Sequence, residues 1–167
     1  MDAKDLVHYN LVVRGLYFEA LEKLPWAEVA KPRGASFDSM RNVFLHLTLV
    51  EDRWINFTLQ NRFSEWKDPD FETYQTIDSL KNYLLHVRNS TEKFLENLNP
   101  EDLQRMVPLP WGNKPGTRIT IETALCHMVM EDMVHYGELS ALLWQMDVEP
   151  PYFAYWRYKY GKSKIPI

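Results

Sequence analysis

The stretch from Thr120 to Met146, TIETALCHMVMEDMVHYGELSALLWQM, has the spacing of a long amphipathic α-helix. Its apolar residues recur at helical intervals and form a single stripe, which comprises Ile121, Ala124, Met128, Leu139, Leu142 and Met146. Thr120 precedes the first apolar residue, where a hydroxyl accepts a backbone N–H and so begins a helix. The pattern therefore predicts the last and longest helix of the domain.

Two earlier segments have the same kind of spacing and predict two more long helices. Residues 4–24 carry leucine, tyrosine and valine side chains along one face, and Pro25 ends that helix. The second helix begins at Ser36 or Asp38, either of which can cap it, and runs towards Gln60.

A third helix begins after Thr76 and ends at Asn99-Pro100, so the sequence predicts an all-α fold, a four-helix bundle. Residues 100–119 are rich in proline and glycine, which favours a short hairpin or an ordered loop between the third and fourth helices. The tail begins at Pro150. It should pack on the bundle or on a second subunit, because it is dense in aromatic side chains: Tyr152, Phe153, Tyr155, Trp156, Tyr158 and Tyr160.

Length and composition limit the class of protein. The 167 residues predict a single domain, 1–167, and 46% apolar residues are enough for a packed core. The 19 basic and 23 acidic residues give a net charge of −4, which argues against a nucleic-acid partner. The only cysteine, Cys126, excludes an internal disulfide. Because the start is charged and no stretch is apolar enough to cross a bilayer, we expect a cytoplasmic protein without a membrane partner.

Three polar residues interrupt the apolar stripes of two helices. On a helical wheel His135 lies at the centre of the last stripe, and Glu131 lies about 40° away, one turn earlier. The spacing of four residues stacks this pair about 6 Å apart, close enough to bind one ion. His46 lies on the apolar side of the second helix, whereas His127 lies about 80° from the stripe centre. These positions predict a metal site of His46, Glu131 and His135.

Other interpretations of these residues are open. A histidine in an apolar stripe is more often hydrogen-bonded in a core than bound to metal, and Glu131 can instead pair with His127 on the surface. His127 and Glu51 are alternative acid–base or supporting residues. Cys126 next to Leu125 is expected to be a small buried apolar residue rather than a nucleophile. Trp54 and Trp111 can line a pocket.

The chain resembles the DinB-like superfamily of metal-dependent bundle proteins over nearly its whole length. SFDSMRNVFLHLTLVEDRW is similar to the family's second helix, in which a histidine, here His46, binds metal. CHMVMEDMVHYGELSALLWQMDVEPP is similar to the last helix, where His135, Gly137 and Glu138 match a His-x-Gly-Gln/Glu run. The commonest family pattern has histidine in place of Glu131. The mycothiol-dependent maleylpyruvate isomerase branch similarly uses two histidines and one glutamate.

The resemblance implies a metal-dependent enzyme acting on a small molecule, as a transferase, isomerase or hydrolase. The ion is expected to be zinc or nickel, with iron or manganese as alternatives, and a low-molecular-weight thiol is the expected second cofactor. The alternative is a non-catalytic bundle that binds metal or has a structural role in an assembly. The resemblance and the aromatic tail both favour a homodimer.

Overall fold

The structure, a computed structural model, describes residues 2–111, 114 and 116–161. The helices of this part of the chain are α1 (Ala3–Glu22), α2 (Trp26–Ala30), α3 (Met40–Asp52), α4 (Ile77–Glu96), α5 (Ile121–Trp144) and α6 (Tyr155–Tyr160). Two short strands, β1 (Met106–Pro108) and β2 (Arg118–Thr120), pair antiparallel between α4 and α5. The predicted all-α bundle and its hairpin are therefore confirmed.

The four long helices form a closed bundle. Helix α1 packs on α4 and α5, and α3 also packs on α4 and α5, so each long helix has two neighbours. Thr76 and Thr120 cap α4 and α5 as the sequence predicted, since each side chain accepts a hydrogen bond from the third backbone N–H that follows. The helices of the described residues include none that is long and apolar enough to cross a membrane.

The start of α3 differs from the prediction. Neither Ser36 nor Asp38 caps this helix; Ser39 does, and its hydroxyl accepts a hydrogen bond from the backbone N–H of Asn42 at 3.2 Å. Asp38 cannot serve because it has φ of 71° and closes a tight turn on Ala35. At its other end α3 continues into a π-helical turn, Arg53–Thr58, and two short 3-10 turns, Phe63–Glu65 and Phe71–Thr73, precede α4.

The sequence did not predict α2, the short 3-10 turn Pro100–Gln104 or α6. Helix α6 packs on α1, because the Tyr155 hydroxyl and the Lys159 ammonium both donate to Asp5 Oδ2, at 2.5 and 2.8 Å. The rings of Tyr155 and Tyr158 also contact Tyr9. The tail thus packs on the bundle in part, while other aromatic side chains stay exposed: Tyr152, Trp156 and Tyr160.

The bundle core consists of two apolar clusters with a layer of polar side chains between them. One cluster contains Tyr17, Phe44 and Leu139, and the other contains Val7 and Met128. The polar layer draws on all four long helices, and its members are fully or almost fully buried: Asn10, Arg14, Glu51, Thr91 and Asp132.

Arg14 organises this polar layer. Its guanidinium pairs with Glu51 of α3 through one nitrogen and with Asp132 of α5 through another. The Thr91 hydroxyl of α4 donates to Glu51, and the Asn10 amide donates to Asp132 Oδ2 at 2.5 Å. Two ion pairs therefore join α1 to α3 and α5 across the middle of the bundle, and the Thr91 hydrogen bond adds α4.

Replacing Arg14 with alanine should strongly destabilise the protein. The change leaves two buried carboxylates without their cation, a loss that costs about 3–5 kcal/mol in other proteins. Urea denaturation followed by circular dichroism measures the difference. Arg62→Ala is the matched control, because Arg62 pairs with Glu65 on the surface and its removal should have a much smaller effect. Equal losses in the two variants would contradict this account of the polar layer.

Candidate metal centre

His46, Glu131 and His135 come together where α3 packs on α5. Each offers one ligand atom, and these atoms lie within 4.8 Å of one another. His46 Nε2 lies 3.6 Å from Glu131 Oε1. Ligands held about 2 Å from a common zinc ion lie about 3–4 Å apart, so small side-chain rotations bring the three into coordination distance. The donor set, two imidazoles and one carboxylate, fits a divalent metal ion.

The side chain of Glu138 fixes the orientation of His135. It lies almost one turn further along α5, and its Oε2 is 3.1 Å from His135 Nδ1. Ser36 holds the same carboxylate through its backbone N–H at 2.5 Å and its hydroxyl at 2.7 Å. Burial opposes ionisation of Glu138, but the hydrogen bonds from Ser36 and His135 keep the pKa of this carboxyl below its ordinary value. A histidine whose Nδ1 donates to a carboxylate presents Nε2 to a metal.

Phe37 covers one side of the three residues. Its ring stacks on the His46 ring, with centroids 4.0 Å apart and planes at 20°, and its centroid is 5.6 Å from that of His135. Phe37 and Ser36 belong to the loop before α3, which thus contacts both histidines and the carboxylate that orients one of them. Sequence analysis missed this loop, although the spacing of three between His135 and Glu138 was a usable signal for their hydrogen bond.

The three residues are less buried than the helical wheel predicted. The side chains of His46, Glu131 and His135 are 17%, 30% and 13% exposed, so Glu131 is not the deepest carboxylate of α5. That residue is Asp132, which is fully buried in the polar layer. The wheel was centred wrongly because its stripe left out four buried residues on the Asp132 side of α5: Leu125, Val129, Tyr136 and Leu143. The partial exposure leaves the three candidate ligand residues within reach of solvent and small molecules.

Electrostatics favour a charged Glu131. The neighbouring His46 imidazole holds the pKa of the Glu131 carboxyl below its usual range, although burial acts in the opposite direction. His127 adds to this effect, since its Nε2 lies 3.5 Å from Glu131 Oε2. The His127 side chain is 57% exposed and lies on the solvent side of Glu131. His127 is outside the group of three found in the described residues.

Two other candidates lie apart from the three ligand residues. Glu51 is buried in the polar layer, where Arg14 and Thr91 occupy its oxygens, so its role is structural. Cys126 is half-buried, and burial together with the charge of Glu122 raises the pKa of its thiol. A raised pKa leaves little thiolate at neutral pH, in agreement with the expectation that this cysteine is not a nucleophile.

A cleft of about 620 Å³ opens beside His127. Trp54 and Trp111 form an aromatic wall on one side, with ring centroids 4.8 Å apart, and Thr123 of α5 lies on the other. The remaining described lining comes from Leu109, Lys114, Thr117 and Ile119. His127 contacts both this cleft and Glu131, so it connects the cleft to the candidate metal centre.

The fold and the site together define a four-helix-bundle protein with a candidate His/Glu/His metal centre between two of its helices. The chain belongs to the DinB family, whose family model matches residues 1–165. This match confirms the resemblance inferred from the sequence, and members of the family often bind a divalent metal ion. No curated protein matches the chain.

Removing the Glu138 carboxylate should weaken metal binding while the three ligand residues stay in place. We expect Glu138→Ala to lower zinc affinity about 10- to 100-fold, the usual cost of losing a carboxylate that orients a ligand histidine. Glu138→Gln, which keeps an acceptor for His135 Nδ1, should recover part of the loss. Isothermal titration with zinc measures both, with Glu122→Ala as a control on the same helix. Unchanged affinity in Glu138→Ala would contradict the orienting role.

Proposed function

We propose that this protein is a metal-dependent enzyme that holds one divalent ion through His46, Glu131 and His135 and acts on a small molecule. The observation that carries the proposal is the combination of three converging donors with a neighbouring cleft. Three protein ligands leave coordination positions free, as catalytic zinc sites do and structural zinc sites do not. The partial exposure of the three side chains agrees with a site that a substrate reaches.

Zinc or nickel is the proposed ion, with iron and manganese as alternatives. Imidazole and carboxylate donors suit all four ions, and two histidines with one carboxylate also form the facial set found in non-haem iron enzymes. The choice of zinc or nickel follows from the proposed chemistry, which needs a Lewis acid that does not change its oxidation state during the reaction. A bound divalent ion of this kind lowers the pKa of a coordinated thiol or water and so supplies a nucleophile near neutral pH.

The residues around the ligands have distinct roles in this proposal. Glu138 holds His135 with Nε2 directed to the ion. His127 lies between the cleft and Glu131 and is placed to transfer a proton to or from a bound substrate. The indole rings of Trp54 and Trp111 bind the apolar part of that substrate in the cleft.

The proposed reaction class is a thiol-dependent transfer or isomerisation, or a hydrolysis. The support is the likeness of the His/Glu/His set to the thiol-using branch of the DinB-like superfamily. The alternative is a non-catalytic bundle that binds metal for stability or as part of an assembly. We further propose that the protein is a homodimer in the cytoplasm, on the grounds of the exposed tail aromatics and the single cysteine.

Alanine variants should separate the ligands from their neighbour. We expect His46→Ala, Glu131→Ala and His135→Ala each to abolish tight zinc binding, because each removes one of three donors. His127→Ala should weaken binding at most about 10- to 100-fold, as loss of an outer residue does. Metal content after purification and calorimetric titration measure these effects. Loss of zinc in His127→Ala with retention in His135→Ala would assign the ligand pair to His127 and Glu131 instead.

The proposed catalysis should depend on the ion. Zinc- or nickel-loaded protein should accelerate consumption of a low-molecular-weight thiol by an electrophilic small molecule, or hydrolysis of an activated ester, and a chelator should abolish the rate. The free thiol or the released alcohol is measured by absorbance, and His46→Ala is the matched control. A protein that binds the ion tightly but leaves both rates at the uncatalysed level across a panel of thiols and esters would support the non-catalytic alternative.

A further inference from the structure

Helix α5 has a second apolar face that points away from the bundle. Met130, Val134 and Trp144 are 69%, 71% and 60% exposed, and Gly137 and Ala141 between them are also exposed. The steps between these residues are four, three, four and three, the spacing that keeps a helix face against a neighbouring helix in a coiled coil. A helix that is apolar on opposite faces is normally covered on both. We call these five residues the outer seam of α5.

The outer seam continues into the functional site. Thr123 and His127 precede it at the same spacing and are exposed on the same face. Both residues line the cleft beside the candidate metal centre. A partner helix on the outer seam therefore also approaches the mouth of this cleft.

We propose that the outer seam is the interface with a second copy of this chain, packed antiparallel and centred on Val134. In this register large and small residues alternate across the interface, because Met130 lies within one residue of the level of Gly137 of the partner subunit. An added Cβ at Gly137 would meet open space, so this position leaves room for a partner side chain. Val134 lies opposite Val134 of the partner subunit, on the two-fold axis. The seam is thus complementary to itself, which identifies a second copy as its partner.

The same register completes the cleft. His127 lies opposite Ala141 of the partner subunit, and Thr123 lies within one residue of the level of Trp144 of the partner subunit. The exposed indole of Trp144 thus becomes a wall of the other subunit's cleft, across from Trp54 and Trp111. The substrate site of each subunit is then built from both chains, an inference that rests on the homodimer proposed above.

A charge at the centre of the seam should prevent dimerisation. Val134→Lys places two ammonium groups opposite each other on the two-fold axis, and the variant should fold because this side chain is exposed in the single chain. Leu85→Lys, an exposed apolar residue of α4, is the matched control. Sedimentation at tens of micromolar should show a dimer for the wild type and for Leu85→Lys, and a folded monomer for Val134→Lys. Circular dichroism checks the fold of each.

Single cysteines test the register. In a Cys126→Ser background, Val134→Cys should form a disulfide-linked dimer under mild oxidation, because the two thiols meet at the axis. Met130→Cys should not, since its two copies lie about 12 Å apart along the helices, beyond the roughly 7 Å between Cα atoms that a disulfide spans. Cross-linking of both variants would indicate parallel packing and overturn the proposal, as would cross-linking of neither.

The outcomes separate this inference from the proposed homodimer. A wild-type chain that stays monomeric defeats both. If the wild type is a dimer and Val134→Lys is a dimer too, only the outer-seam interface is contradicted. The exposed tail aromatics are then the alternative interface. In the expected result, Val134→Lys is monomeric and still binds zinc through its own three ligands, so the loss of the dimer is distinguishable from the loss of the metal site.

Discussion

An arginine buried among apolar side chains needs carboxylates within hydrogen-bonding distance, because an unpaired charge in a protein interior carries a large desolvation cost. Arg14 meets this requirement with one carboxylate from α3 and one from α5. The three side chains must then lie at the same height in the bundle, which fixes the axial register of α1, α3 and α5. The Thr91 hydroxyl also fixes α4 in this register, because it donates a hydrogen bond to Glu51. Apolar packing on either side of this layer tolerates small sliding of the helices, whereas the ion pairs do not.

This register places the candidate metal centre. Glu131 and Asp132 are neighbours on α5 and point about 100° apart, so fixing Asp132 on Arg14 turns Glu131 towards α3 and His46. Burial raises the pKa of Asp132, and the charge of Arg14 lowers it. The pKa of Glu131, by contrast, is held down mainly by His46. Two adjacent carboxylates thus have separate surroundings, since Asp132 joins the helices through Arg14 and Glu131 belongs to the candidate metal centre.

Sequence patterns predicted what depends on local spacing and failed where packing decides. Caps at Thr76 and Thr120 followed from residue type and position, and the proline-rich segment before α5 formed a hairpin as expected. The prediction of the α3 cap was wrong because Asp38 lies in a left-handed turn. This turn belongs to the loop whose Ser36 binds Glu138, and no local sequence pattern reveals that packing. Arg14 was overlooked although it lies seven residues after Val7 on the same face of α1.

Helix α5 has two apolar faces, and their positions bear on the candidate metal centre. One apolar face packs in the bundle around Asp132, and the other forms the outer seam around Val134. The candidate metal ligands occupy the border between a face covered by α1 and α3 and a face that is exposed in the single chain. His127 belongs to this border too, since it touches Glu131, lines the cleft and continues the seam. The proposed association through the outer seam would therefore change the surroundings of the residue that links the cleft and the candidate metal centre.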